Sequence, residues 1–330
     1  MTSPLDVSGA ELQAVPEAVL EGAQGKAIEG RSLGQIAWTR LKRDKVALVG
    51  AGVVIFLILV AIFAPLIVAW LGHPPNDFNQ DLISSETLAP KDGTGISGDH
   101  LFGVEPVNGR DLFSRVIYGA RISLLIAFLA TLLSVVIGTT LGIVAGYFGG
   151  WVDSVISKAM DIFLAFPLLV FAIALAGIVP DSAFGLSGDA LRVSLLVFII
   201  GFFNWPYIGR IMRGQTLSLR EREFVDAARS LGARGPYIIF REMLPNLMAP
   251  ILIYATLLIP TNILFEAALS FLGVGVRPPT PTWGGMLSDA VRFYTIPHFM
   301  FFPGMAIFIT VLAFNLFGDG LRDALDPRAR

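Results

Sequence analysis

Six long apolar stretches, at 46–71, 122–147, 155–178, 193–211, 247–274 and 299–317, alternate with polar segments along the chain. The first carries no charge over roughly 25 residues, enough for a helix to cross a hydrocarbon core of about 30 Å. The last contains Pro303 and Gly304, which a membrane helix tolerates where neighbouring helices satisfy the freed backbone groups. The pattern predicts an all-α membrane protein with six transmembrane helices. Composition agrees: 54% of the 330 residues are hydrophobic and 15% charged, and the mean hydropathy is +0.70. That is more apolar surface than one soluble core buries.

The polar segments supply orientation. Residues 1–31 mix Ala, Gly, Glu and Pro without apolar periodicity and are expected to form a disordered tail. The first 45 residues carry no short apolar core with a small-residue cleavage site, so the first apolar run is expected to remain as an anchor. Residues 32–45 bring Arg40, Lys42, Arg43 and Lys45 beside Leu33, Ile36, Ala37 and Leu41 at helical spacing. They predict an amphipathic helix whose cations meet anionic membrane lipid on the cytoplasmic surface.

Residues 72–121 are read as extracytoplasmic. Over 72–118 the acids are Asp77, Asp81, Glu86, Asp92, Asp99, Glu105 and Asp111, against Lys91, Arg110 and Arg115. The loop between spans four and five instead holds Arg210, Arg213, Arg220, Arg222, Arg229, Arg234 and Arg241. By the excess of Lys and Arg on the inner side, that loop and both termini are expected in the cytoplasm. The core is then 122–318, followed by a cytoplasmic tail at 319–330.

Charge and residue types exclude several chemistries. A formal net charge of −2, from 24 basic and 26 acidic residues, offers no basic face for nucleic acid. The chain has no cysteine, so disulfides, thiolate metal sites and cysteine nucleophiles are excluded. Gly25-Lys26 lacks the glycine spacing of a phosphate-binding loop. His73, His100 and His298 fall in outer segments without zinc spacing and are expected to be solvated loop residues. Residues 109–121 predict an interfacial helix leading into span two, with Arg110, Arg115 and Arg121 snorkelling at the membrane edge. Asp161 and Glu266 are the acids within the spans and the candidates for a translocation path. For Asp161 the alternative is a satisfied end-of-helix carboxylate, and for Glu266 a structural hydrogen bond.

One long polar, helix-forming stretch, 221–245, lies between spans four and five. Phe224, Ala228 and Leu231 recur at helical spacing with Val225 beside them, and Gly232 interrupts. Pro236 can open a second helix, with Ile239, Phe240, Met243 and Leu244 on its apolar face, before Pro245 ends it. A helix, glycine bend, helix element of this kind can seat in a groove on a soluble partner, or lie on the membrane surface.

Asp226-Ala227-Ala228, Gly232 and Leu244-Pro245 resemble the coupling motif of ATP-binding cassette (ABC) importer permeases. Asp226 stands for the usual Glu, and Glu242 occupies a position usually held by Ile. The stretches 109–124, 270–284 and 315–327 also resemble the second permease subunit of dipeptide, oligopeptide and nickel importers. The resemblance covers about residues 32–330. It implies a type I ABC importer permease fold with a cytoplasmic coupling helix between spans four and five. It also implies four partners: a second homologous permease, two ATPase subunits and an extracytoplasmic peptide-binding protein. ATP and Mg would be bound by the ATPases, with no cofactor, metal or catalytic residue in this chain. Within the family, peptide, nickel, opine and glutathione remain open as substrates. Outside it, a stand-alone channel or proton-coupled transporter would use Asp161 and Glu266 as ion-path residues. An intramembrane enzyme lacks paired catalytic acids or a metal cluster in the spans.

Overall fold

The computed structural model describes residues 33–325; the expected tail at 1–31 lies outside them. Helix α1, Leu33–Leu41, replaces the longer 32–45 helix because Asp44 opens a new one. Its carboxylate accepts from the Val46 and Ala47 amides at 2.9 and 3.1 Å, capping α2, Lys45–Ile62. Span one was expected unbroken over 46–71; instead it stops at Phe63 and restarts as α3, Ala64–Leu71. Pro65 lacks an amide proton and starts a helix more readily than it continues one.

Helix α4 runs 37 residues, Leu112–Phe148, from an Asp111 cap to a break at Gly149, whose φ is +66°. The separate interfacial helix expected at 109–121 therefore does not form: nothing after Asp111 interrupts the ladder, and its residues become the first turns of span two. Span three also departs from a single crossing. Its two helices, α5 (Gly150–Ala165) and α6 (Leu168–Ile178), meet at an 80° bend. Pro167 holds Phe166 extended at φ −76°, ψ 129°, which ends α5.

A two-residue hairpin, β1 (Ser182–Ala183) with β2 (Leu186–Ser187), leads into α7, Gly188–Arg220. Helix α8, Glu223–Ser230, is followed by one turn at Gly235–Tyr237 and a π-helical turn at Ile238–Met243. Then come α9 (Leu244–Phe271), α10 (Trp283–Val291) and α11 (Pro297–Leu325). Helix α11 passes through Pro303 and stays helical over residues expected to form a tail from 319. Among the described residues, five helices are long and apolar enough to cross a membrane, or six crossings with the bent pair counted as one.

The core forms where α4 meets α7. Gly138, Gly142 and Gly146 recur every four residues on one face of α4. A Cβ at Gly142 would lie 2.5 Å from the Gly209 carbonyl and 2.8 Å from Met212 Cβ. From the α7 side, a Cβ at Gly201 would lie 2.8 Å from the Ala130 carbonyl, and Ser134 Oγ donates to the Gly201 carbonyl at 2.8 Å. In lipid the hydrophobic effect does not drive helices together, so this close approach supplies the dispersion contacts that do. A buried relay extends the seam to α9: Asn204 Nδ2 donates to Asn262 Oδ1 at 2.9 Å, and Asn262 Nδ2 to Thr131 Oγ1 at 2.8 Å.

Gly142→Leu is expected to destabilise the folded chain by about 1–3 kcal/mol or more through overpacking, read as a lower thermal midpoint in detergent. Gly52→Leu on α2, where an added Cβ meets nothing within 4 Å, serves as the control and is expected to leave the midpoint unchanged.

Candidate functional site

The knuckle at 221–245 is built around a helix stop. Helix α8 ends at Leu231, and Gly232 follows at φ +83°. The Gly232 amide donates to the Arg229 carbonyl at 2.9 Å and the Ala233 amide to the Ala228 carbonyl at 3.0 Å, the paired bonds of a Schellman stop. Ala228 and Ala233 complete it by packing on the same small cluster. Glycine serves here because a side chain at this φ is strained. Space is not the reason, since an added Cβ at Gly232 meets nothing within 4 Å.

The inward face of α8 differs from the expected stripe. Val225 is fully buried with Ile238 and Met243, against Tyr147 and Leu219 at the ends of α4 and α7. Phe224 is on the exposed side and Leu231 is 88% exposed. On an eight-residue helix the two phases differ by one position, and contact with Tyr147 and Leu219 selects the one carrying Val225. Pro245 also departs from expectation: it lies in the first turn of α9 and does not end a helix, so the knuckle runs without a break into span five.

Ala228, Leu231, Gly232, Arg234, Tyr237 and Glu242 line a groove of about 470 Å³ on the outward side. Glu242, the first departure from the motif, sits at that partly wetted groove, where a carboxylate avoids the desolvation cost of a core position. Asp226, the second, is exposed in the first turn of α8, where a negative charge suits the helix dipole, and it pairs with Arg229 at 3.2 Å. Ala227 is exposed beside it. The knuckle is tied back to the bundle by Arg220, whose Nη1 donates to the Tyr147 carbonyl at 3.3 Å, at the end of α4.

The two acids of the spans are not brought together. Asp161 is exposed on α5 and pairs with Arg210 on α7. About two turns earlier on α5, Asp153 is gripped by Arg213 through two bonds, one of them 2.6 Å from Nη2 to Oδ2. Asp161, Arg210 and Arg213 border a cavity of about 360 Å³. Glu266 is fully buried on α9, its Oε1 accepting from Ser270 at 2.7 Å while Oε2 has no partner among the described residues. Trp283 of α10 is buried against the same wall and donates from Nε1 to the Val116 carbonyl at 3.0 Å.

At the opposite end of α4 from the knuckle, the expected solvated and snorkelling residues are largely buried. Glu105 is 1% exposed and is shared by the Nε atoms of Arg110, at 2.7 Å, and Arg115. His100 Nδ1 contacts Asp111 Oδ1 at 2.8 Å, and His298 is buried with neither ring nitrogen partnered among the described residues. The cause is that segment 72–111 folds onto the bundle, with Phe102 stacked on Phe302 at 4.0 Å. Only Arg121 stays exposed, and His73 partly so. Sequence reasoning missed Glu105, Arg115, Asn204 and Thr131 as buried polar partners. No local signal marks them, since their contacts lie up to 164 residues away.

Comparison with known proteins accounts for this arrangement. Residues 138–330 match the family described as the binding-protein-dependent transport system inner membrane component. Residues 32–90 match the N-terminal transmembrane domain of oligopeptide transport permease C. The chain is 43% identical to the dipeptide transport system permease protein DppC of Alkalihalophilus pseudofirmus over 89% of its length and 90% of the relative's. It is 41% identical to the glutathione transport system permease protein GsiD of Escherichia coli over 89% and 90%. The inward-facing methionine ABC transporter MetNI shares the fold, with a TM-score of 0.54 at 17% identity over 65% of this chain and 98% of that one. The chain therefore belongs to the binding-protein-dependent transport system inner membrane components, as a multi-pass permease subunit of a peptide-type ABC importer.

Proposed function

We propose that this chain, with a second homologous permease, forms the path by which short peptides cross the bacterial inner membrane, and that its knuckle at 221–245 receives the motion of the partner ATPases. The observation that carries the reading is the mounting of that knuckle. Val225 and Met243 pack on Tyr147 and Leu219 at the ends of the two seam helices, and the chain continues unbroken into α9. A rigid displacement of α8 then moves three membrane helices together.

In this reading Asp226, Ala227, Ala228 and Gly232 face an ATPase, while Leu244 and Pro245 join the knuckle to span five. Two ATPase subunits bind ATP and Mg, an extracytoplasmic binding protein delivers the peptide, and no covalent chemistry occurs in this chain. The knuckle and both termini are cytoplasmic. The arginines of 207–246 support this, as does the packing of Leu41 and Ala47 against Ala324, which brings α1, the start of α2 and the end of α11 together on one side. Asp161 borders the path beside Arg210, and Glu266 acts on it through Ser270. Peptide is favoured over nickel or opine because the relatives named above are named for a dipeptide and for glutathione, itself a peptide.

In a reconstituted assembly, ATPase activity is expected to rise with dipeptides or glutathione; a rise with nickel alone would overturn the substrate assignment. Gly232→Asn is expected to retain coupling because Asn tolerates the left-handed region, whereas Gly232→Val strains the bend by about 1 kcal/mol or more and places bulk in the docking face. Normal membrane insertion of both, with uptake per ATP lost only in the Val variant, is the expected pattern. Asp226→Lys is expected to lower uptake per ATP while leaving insertion intact; unchanged coupling there would count against α8 as the contact.

A further inference from the structure

A pocket of about 190 Å³ opens where the loop 273–282 and α10 meet the first turn of α4. It lies at the far end of α4 from the knuckle, about 55 Å away along a 37-residue helix at 1.5 Å per residue. Its volume is below the about 300–1,000 Å³ that encloses a whole drug-sized ligand, so it suits the end of a guest.

The wall of this pocket contains a buried arginine with an unused donor. The Arg115 side chain is 3% exposed. Its Nε is committed to Glu105, and Nη1 donates to the Pro75 carbonyl at 3.2 Å, Asn76 Oδ1 at 3.3 Å and the Pro279 carbonyl at 3.0 Å. Nη2 has no hydrogen-bond partner among the described residues. Glu105, already shared with Arg110, does not neutralise both guanidiniums. At the rim, the Arg292 side chain is exposed without a hydrogen bond or ion pair among the described residues, whereas Arg277 is held by Asp181 at 2.6 Å. The same pocket holds the carboxylate of Asp289, which makes neither a hydrogen bond nor an ion pair among the described residues and acts on Arg115 only through the field of its charge.

Two guanidinium faces and one carboxylate that lack hydrogen-bond partners among the described residues share one small cavity and match a guest that carries both charges. We infer that this pocket is an entry subsite for the zwitterionic end groups of a short peptide, with Arg115 Nη2 and Arg292 receiving the carboxylate and Asp289 the ammonium. A simple dianion is disfavoured by Asp289, and an apolar guest leaves all three charges without partners. Ser270 at the pocket floor is bonded to Glu266, so occupancy is felt at the buried acid of span five. The inference rests on the peptide-permease reading and extends it to named contacts at the outer mouth.

The test uses the complete importer in lipid nanodiscs, without mutation. Arg292 is modified with phenylglyoxal and followed by mass spectrometry in the presence of a dipeptide, its C-terminal amide or its N-acetyl form, with and without binding protein. The dipeptide is expected to slow modification. Each blocked form should need about tenfold more ligand for equal protection, the loss of one charge-assisted contact. Equal protection by all three, no protection by any, or an Arg292 already unreactive without ligand would overturn the subsite. Protection that follows the binding protein regardless of peptide would overturn it too, assigning Arg292 to protein docking. ATP-driven uptake of the same dipeptide, measured in vesicles from the same preparation, separates the two readings. Uptake without protection removes only the subsite, and no uptake removes the peptide reading itself.

Discussion

Everything in this fold that can transmit force depends on one contact, the backbone-to-backbone approach of α4 and α7 along Gly138, Gly142 and Gly146. Lipid tails are as apolar as leucine, so burying apolar side chains gains little between membrane helices. Stability there comes from close packing, and absent side chains permit the closest packing. The seam then lets two long helices, 37 and 33 residues, move as one body. The Asn204, Asn262 and Thr131 relay extends that body to α9, because separating the helices would strand amide groups in hydrocarbon.

The knuckle exploits this rigidity. A short helix of eight residues has no independent stability in water, so α8 can carry a load only if something else fixes it. Val225 and Met243 do so by seating on Tyr147 and Leu219, and Arg220 adds a bond to the last turn of α4. The Schellman stop at Gly232 sets the angle at which the chain turns from α8 toward α9. What stays unsatisfied is the outward face, where Phe224, Leu231 and Tyr237 are exposed. Packing inside the chain uses one side of the knuckle and leaves the other exposed.

Sequence pattern revealed the crossings, the polar element between spans four and five and its glycine bend, because each depends on composition or on a single residue's backbone preference. It failed where a decision depends on distant contacts. Apolar length concealed the breaks at Phe63 and Phe166, although Pro65 and Pro167 stand beside them, since hydropathy counts a bent pair as one span. The phase of α8 was set by Tyr147 and Leu219, not by its own eight residues. Glu105 and His298 read as solvated loop residues and Arg115 as a snorkelling cation at the membrane edge, because solvent is the default for them; burial follows from segment 72–111 folding back and from Pro279 arriving from another part of the chain. The spacing of Gly138, Gly142 and Gly146 is visible in the sequence, but its partner surface on α7 is not.

The two ends of α4 are held by opposite physics, and that difference has a mechanical consequence. Toward the knuckle the contacts are mainly steric, with Arg220 adding hydrogen bonds to the last turn of α4, so they tolerate little sliding. Toward Asp111 they are ionic: Glu105 holds two guanidiniums, and Arg115 reaches segments near Pro75 and Pro279 at once. A buried ion cluster adds little net stability over an apolar packing, but breaking one partner leaves a costly unpaired charge. Such a cluster therefore acts less as glue than as a register device, penalising any arrangement in which the loop, α4 and segment 72–111 separate singly. Beside this frame lies the bent pair α5 and α6, tied to α7 by the exposed pair Asp161 with Arg210, by the part-buried pair Asp153 with Arg213, and by Phe163 and Phe171 packed on Phe202, Phe203 and Trp205. An exposed pair is individually weak, so Asp161 and Arg210 can part at small cost while the aromatic contacts and both ends of α4 hold. The contacts are therefore ordered in stiffness, with glycine packing firmest, the buried ionic register next, and the exposed pair of Asp161 with Arg210 most easily broken.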